Sequence, residues 1–240
     1  MRAGPLLLNA LGLLAALALA ALGTWQVERR AWKLDLIARV EARIDAAPVP
    51  APGPEAWPGI TGAEDAYRHV RVEGRYLPVP PALVQAVTVL GAGFWVVAPL
   101  RRADGTVVLI NRGFVPADRR EPGASPAPTG PATVTGLLRV SEPGGAFLRS
   151  NDPAADRWFS RDVAAIARAR GLTGAAPYFV DRDAAPEVEG GPVGGLTVVA
   201  FRNDHLVYAI TWYALMAMVV AGLVYANLDR LRARRTGDGA

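Results

Sequence analysis

The sequence predicts a membrane protein: two transmembrane helices flanking an extracytoplasmic α+β domain built on an antiparallel β-sheet or small barrel. Three observations predict it. Pro5–Val27 and Leu206–Leu228 are apolar runs with no charged residue. The stretch between them is polar and breaks into short β-branched runs separated by turn signals. Arg230, Arg232, Arg234 and Arg235 follow the second run. The chain divides accordingly into a cytoplasmic N-terminus (1–4), transmembrane helix 1 (5–27), a periplasmic α+β domain (28–204), transmembrane helix 2 (205–228) and a cytoplasmic basic tail (229–240).

Each apolar run, wound as a helix, reaches roughly 34 Å, enough for a hydrocarbon core about 30 Å thick. The first is longer than the apolar core of a cleaved signal peptide, so a retained anchor is expected. Two spans place both termini on one side. The arginine cluster after the second span makes that side cytoplasmic, although Arg29, Arg30 and Lys33 follow the first span. The short N-terminal flank leaves no room for a mitochondrial transit peptide, and the expected location is a bacterial inner membrane with the main domain in the periplasm.

Beyond Val27 the helix is expected to continue. Trp32, Leu36, Val40 and Ile44 recur every four residues, with charged residues between them. Pro48, Pro50, Pro52, Pro54 and Pro58 end it in an extended linker. Strands are predicted over Tyr67–Leu77, Ala82–Leu90, Phe94–Arg101, Val107–Asn111, Thr133–Val140, Tyr178–Asp181 and Leu196–Phe201. Asp104-Gly105 between two such runs marks a hairpin. Gly123–Pro131 reads as a loop and Gly190–Gly195 as a turn. Arg161–Arg170 reads as a short helix closed by Gly171.

Composition excludes several functions. The net charge is +4, yet Lys33 is the only lysine and the arginines are scattered. A tethered extracytoplasmic domain with scattered charge does not read as a nucleic-acid binder; the basic tail suits anionic membrane lipid. There is no cysteine, and Met216 and Met218 lie inside the second span, so soft-ligand copper delivery is a poor reading. The two histidines, His69 and His205, lie far apart and form no zinc cluster. Ser125, Ser141, Ser150 and Ser160 could find only His69 as a base, and none sits in a Gly-x-Ser-x-Gly elbow. His69 reads as an exposed strand residue whose protonation Arg68 and Arg71 disfavour. The expectation is a protein that is not an enzyme.

Three motifs carry a family resemblance. Leu22–Lys33 (Leu-Gly-Thr-Trp-Gln-Val-Glu-Arg-Arg-Ala-Trp-Lys) resembles the first-helix exit of the surfeit locus protein 1 family, the cytochrome c oxidase assembly factors. Val108–Pro116, with Asn111-Arg112-Gly113, is similar to that family's hairpin signature, with Phe114 where tryptophan is more usual. Asn203–Tyr213 is similar to its second-helix motif, departing at Asp204 and Tyr213. The resemblance implies a role in assembling the haem centres of the haem-copper oxidase. Haem a is the implied transient ligand, cytochrome c oxidase subunit I the partner, and haem a synthase a further candidate partner.

The resemblance also implies an iron ligand at His205. On a helix, His205, Tyr208 and Trp212 lie at i, i+3 and i+7, and could combine axial ligation with aromatic stacking. Arg202, Arg29 and Arg30 stand near the same boundary and could pair with haem propionates. Two alternatives stay open. His205, Tyr208 and Trp212 are also what an interfacial aromatic belt looks like. A two-span scaffold could steady subunit I or haem a synthase without touching haem. Trp25 and Gln26 read as packing against the second helix at least as readily as contacting a cofactor, and Asn111-Arg112-Gly113 as fixing the hairpin or meeting a partner.

Overall fold

The computed structural model describes residues 3–119, 126–146, 148–185, 191–197, 201 and 203–237, without the side chains of residues 3 and 233–237. The chain forms two compact units, Met1–Arg39 with Ala200–Ala240, and Val40–Val199. The first contains most of helix α1 (Ala3–Ile44) and all of the C-terminal helix α3 (His205–Gly237). Both are long and apolar enough to cross a bilayer. Their exposed side chains are largely leucine and valine, among them Leu6, Leu13, Leu17, Val207, Val220 and Val224, as expected of surface that faces hydrocarbon. The helical period predicted past Val27 holds to Ile44.

The second unit is a β-barrel. Its strands are β1 (Val49–Pro50), β2 (His69–Tyr76), β3 (Ala82–Thr88), β4 (Gly91–Arg101), β5 (Val107–Pro116), β6 (Pro131–Val140) and β9 (Ala175–Arg182). A separate small hairpin joins β7 (Gly145–Ala146) to β8 (Arg149–Ser150). The main sheet runs β1-β2-β6-β9-β5-β4-β3, and β2 pairs with β4 as well. That pairing closes β2, β6, β9, β5 and β4 into a ring and settles the choice between sheet and barrel. The closing register sets Arg75 against Arg101 and Tyr76 against Leu100. Gly74 stands beside the seam, where a Cβ would collide with the Arg101 carbonyl. Only a residue without a side chain lets the strands approach there. The ring is antiparallel except for β5 and β9, which run parallel. This connectivity is that of a five-stranded OB-type barrel.

Alternation explains the core. Val70, Val72, Leu100, Val108, Ile110, Leu138, Tyr178 and Val180 form one buried cluster. Leu109, Phe179, Val97 and Val84 form another on the opposite faces of their strands, covered by Trp158 and by Val163 and Ile166 of helix α2 (Val163–Ala169). β5 is therefore buried on both sides, which is why its sequence reads as a continuous apolar run rather than an alternating one. Asp162 caps α2 by accepting from the Ala165 amide at 3.0 Å. The predicted linker is anchored: the Pro52 carbonyl accepts from Tyr178 Oη at 2.7 Å, Trp57 Nε1 at 3.2 Å and Arg102 at 3.3 Å. Of the predicted strand Leu196–Phe201, residues 198–200 lie outside the described residues, and the rest is not strand. Of the turn expected over Gly190–Gly195, Gly190 lies outside the described residues, and the rest brings Val193 alongside Phe114, with amide–carbonyl bonds of 2.8 and 2.9 Å. Gly113 makes room for this: it has φ +130 and its missing Cβ would strike the Val193 backbone.

Candidate functional site

The helical unit is held by one stripe along each helix. On α1 it comprises Asn9, Gly12, Ala16, Gly23 and Gln26. Spacings of three, four and seven keep these on one face. The small residues among them, Gly12, Ala16 and Gly23, allow close approach, the usual basis of helix association where lipid competes for apolar surface. Leu223 of α3 sits over Gly12, and the Tyr213 ring over Gly23. Ala16 and Ala209 are buried. Polar groups set the register. Asn9 and Asn227 exchange two amide hydrogen bonds, at 3.2 and 3.0 Å. Thr24 Oγ1 and the Tyr213 hydroxyl lie 3.0 Å apart.

At the head of α3, His205 joins this stripe. Its Nδ1 is 2.7 Å from Oε1 of Gln26, which is itself only 9% exposed. An amide oxygen only accepts, so Nδ1 carries the proton and Nε2 of the neutral ring carries the lone pair. Among the described residues Nε2 has no hydrogen-bond partner. Two residues earlier, the buried Asn203 Oδ1 likewise has none.

The other predicted site residues divide. Trp212 falls on the same stripe and is partly buried, whereas Tyr208 is 55% exposed and turned off it. Spacings of three and seven keep His205, Tyr208 and Trp212 on one side of the helix; His205, Ala209 and Trp212 are buried or partly buried there, and Tyr208 lies at the exposed edge. Arg29 stacks on Trp32 with its guanidinium carbon 4.0 Å from the ring centre, and Arg30 is partly buried nearby in sequence. Arg202 lies outside the described residues. For Gln26 the sequence leaves packing and cofactor contact both open. Its pairing with a histidine far along the chain has no local sequence signal.

His69 differs from His205 in having both nitrogens engaged. Nε2 lies 2.8 Å from Asp183 Oδ2 and Nδ1 2.8 Å from the Ala46 carbonyl. Burial opposes its charge, but the Asp183 hydrogen bond, the Ala46 carbonyl and the Asp183 charge outweigh it and raise the pKa. This corrects the expectation from Arg68 and Arg71, which are paired with Asp65 and Glu73 respectively. Two of the serines are tied into the structure: Ser160 Oγ donates to the Glu142 carbonyl at 2.7 Å, and Ser141 Oγ accepts from the Val163 amide at 3.0 Å.

The barrel holds one further polar centre. Asp181, 3% exposed, accepts from Asn111 at 2.8 Å, Arg139 at 3.0 Å, Arg161 at 3.0 Å and Thr197 at 3.1 Å. Arg161 also grips Glu142 with bonds of 2.6 and 3.0 Å. Two carboxylates thus face two guanidiniums. Asn111 Oδ1 in turn accepts from the Gly113 amide at 3.1 Å, so the Asn111-Arg112-Gly113 segment fixes the strand from inside. Among the described residues no three His, Cys, Asp or Glu side chains gather as metal ligands.

The sequence model of the SURF1 family matches residues 13–217, taking in most of α1, the barrel and the first part of α3. The chain belongs to the SURF1 family. It is 38% identical to human Surfeit locus protein 1 over 215 residues, 82% of this chain and 69% of that protein. It is 35% identical to the Surfeit locus protein 1 of Takifugu rubripes over 217 residues, 82% of this chain and 87% of that one. A SURF1-like protein of Monosiga brevicollis is 36% identical over 231 residues, 90% of this chain and 85% of its own length. The matched span contains Gln26, the barrel polar centre and His205.

Proposed function

We propose that this SURF1 family protein is a non-enzymatic assembly factor of cytochrome c oxidase that holds haem a at His205 and aids its insertion into subunit I. One observation carries the reading: of the two imidazoles, His69 is spent at both nitrogens, whereas His205 keeps an Nε2 lone pair without a partner among the described residues. A neutral imidazole of this kind is a standard axial haem ligand. The donor set fits: a histidine whose second nitrogen is held by a carbonyl, at the head of an apolar helix. Haem is cargo in this scheme, so a single protein ligand suits release. Trp212 shares the face, and Tyr208, Arg29, Arg30 and Arg202 are the further candidates for ring and propionate contact. The membrane is proposed to be the bacterial inner membrane, with both termini cytoplasmic and the barrel in the periplasm. Haem a synthase is a second candidate partner.

An absorption spectrum tests this. The full chain, co-expressed with the haem a biosynthetic enzymes and purified in detergent, is expected to carry haem a near one per chain, and His205→Ala to lose it. No haem in either would leave the scaffold role; equal haem in both would keep haem handling and remove His205 from it.

A further inference from the structure

The His205 ring is not merely placed; it is held by a buried partner. Gln26 sits on α1 at the level of the helix head and is 9% exposed. Its Oε1 meets Nδ1 at 2.7 Å. The hydrogen bond spans two helices and joins residues 179 positions apart in sequence. A glutamine is uncharged, so it orients the imidazole without adding a counter-charge. Metal-binding histidines commonly donate their second N–H to such a carbonyl, which fixes the tautomer and raises the basicity of the ligating nitrogen.

We propose that Gln26 is a positioning residue for the haem iron: by accepting the Nδ1 proton of His205 it fixes Nε2 as the ligating atom and sets how strongly that atom donates. This rests on the haem-handling reading above. It also assigns a use to the neutral amide. A carboxylate at position 26 would draw the proton further, push electron density onto Nε2 and bind ferric iron more firmly, which is a disadvantage in a carrier that must let go. A residue that cannot accept would free the ring to adopt either tautomer and weaken ligation.

The test uses the full chain, co-expressed with the haem a biosynthetic enzymes and purified in detergent, as the parent and as Gln26→Glu, Gln26→Met and His205→Ala. Haem content, reduction potential and the iron–histidine stretching frequency of the ferrous form are measured. Gln26→Met is expected to weaken haem retention about 10–100-fold. Gln26→Glu, close in shape, is expected to keep haem, to lower the reduction potential and to raise the iron–histidine frequency. A role confined to joining the helices would leave potential and frequency at parental values in every variant that binds, and that result would overturn the proposal while the haem reading stood. Haem bound equally by the parent and His205→Ala would remove His205 as ligand, and the role of Gln26 with it. A parent that carries no haem would defeat the haem reading itself.

Discussion

Replacing Asp181 by alanine tests the account of the barrel. Asp181 is the shared acceptor for Asn111, Arg139, Arg161 and Thr197, and its carboxylate is 3% exposed. Removing it leaves Asn111 Nδ2 buried without that acceptor, and leaves Arg139 with the longer 3.7 Å pair to Glu142 and the Tyr67 ring beneath it. Breaking a buried ion pair by deleting one partner costs about 3–5 kcal/mol. For a unit of this size each kcal/mol shifts the melting temperature by about 2–4 °C, so the expected drop is about 6–20 °C. Asp181→Asn keeps the shape and an acceptor but loses the charge, and should fall between parent and alanine, at about 1.5–3 kcal/mol. The assay is thermal unfolding of the full chain in detergent, followed by tryptophan fluorescence, to which the buried Trp158 contributes. A melting temperature for Asp181→Ala within about 2 °C of the parent would refute the reasoning. The same centre sets an acid limit. Burial opposes ionisation of Glu142, but the hydrogen bonds and charge of Arg161 outweigh it and hold its pKa below the ordinary carboxylate value. Its contribution is present above the unfolded pKa of about 4.3 and is lost as pH falls through the lower folded value.

Four further outcomes follow from particular contacts. Tyr178→Phe removes the 2.7 Å bond to the Pro52 carbonyl and should cost about 1 kcal/mol, read as a lower urea midpoint; an unchanged midpoint would mean the linker is not anchored there. Because the folded pKa of His69 is raised, its pairing with Asp183 should stabilise fully below the unfolded value of about 6.5 and fade as pH rises through the folded one. His69→Gln should flatten that part of the stability–pH curve by at most about 1 kcal/mol, since both groups are partly solvated; an equal slope in both proteins would count against the pair. Gly113→Val should prevent Val193 from bonding to Phe114, given the φ of +130 and the backbone contact, and should give the lowest soluble yield of these variants; parental yield and melting would contradict it. Asn9→Leu and Asn227→Leu should each weaken the helix pair by about 0.6 kcal/mol, with the double variant costing less than the sum; strict additivity would show that the two amides do not interact.

The sequence made the helices and most strands legible because their signals are local. An uncharged run, the four-residue period to Ile44, and Asp104-Gly105 between apolar stretches each specify structure within a few residues. Some boundaries moved little, as with the helix expected over Arg161–Arg170, which is Val163–Ala169, whereas the strands expected over Val107–Asn111 and Tyr178–Asp181 extend to Val107–Pro116 and Ala175–Arg182. What could not be read depends on distant pairing. The β2–β4 seam and the parallel β5–β9 pair bring together residues with no shared pattern. Asp181 was one carboxylate among many until four donors converged on it. At the candidate site, His205 stood out by rarity and resemblance. Helical spacing groups His205, Tyr208 and Trp212 but does not say which arc of the helix meets its neighbour, and the pairing of Gln26 with His205 spans 179 positions, so nothing near Gln26 announces it.

The closure of the β-barrel also decides where a bulky molecule cannot go. An eight-stranded barrel has just enough bore for side chains or one small guest. This one has five strands, and Leu100, Ile110, Leu138, Tyr178 and Val180 occupy its centre with almost no exposure. It is a solid plug rather than a vessel. A planar macrocycle the size of haem finds no lumen there, so the barrel has only its outer wall with which to meet another molecule.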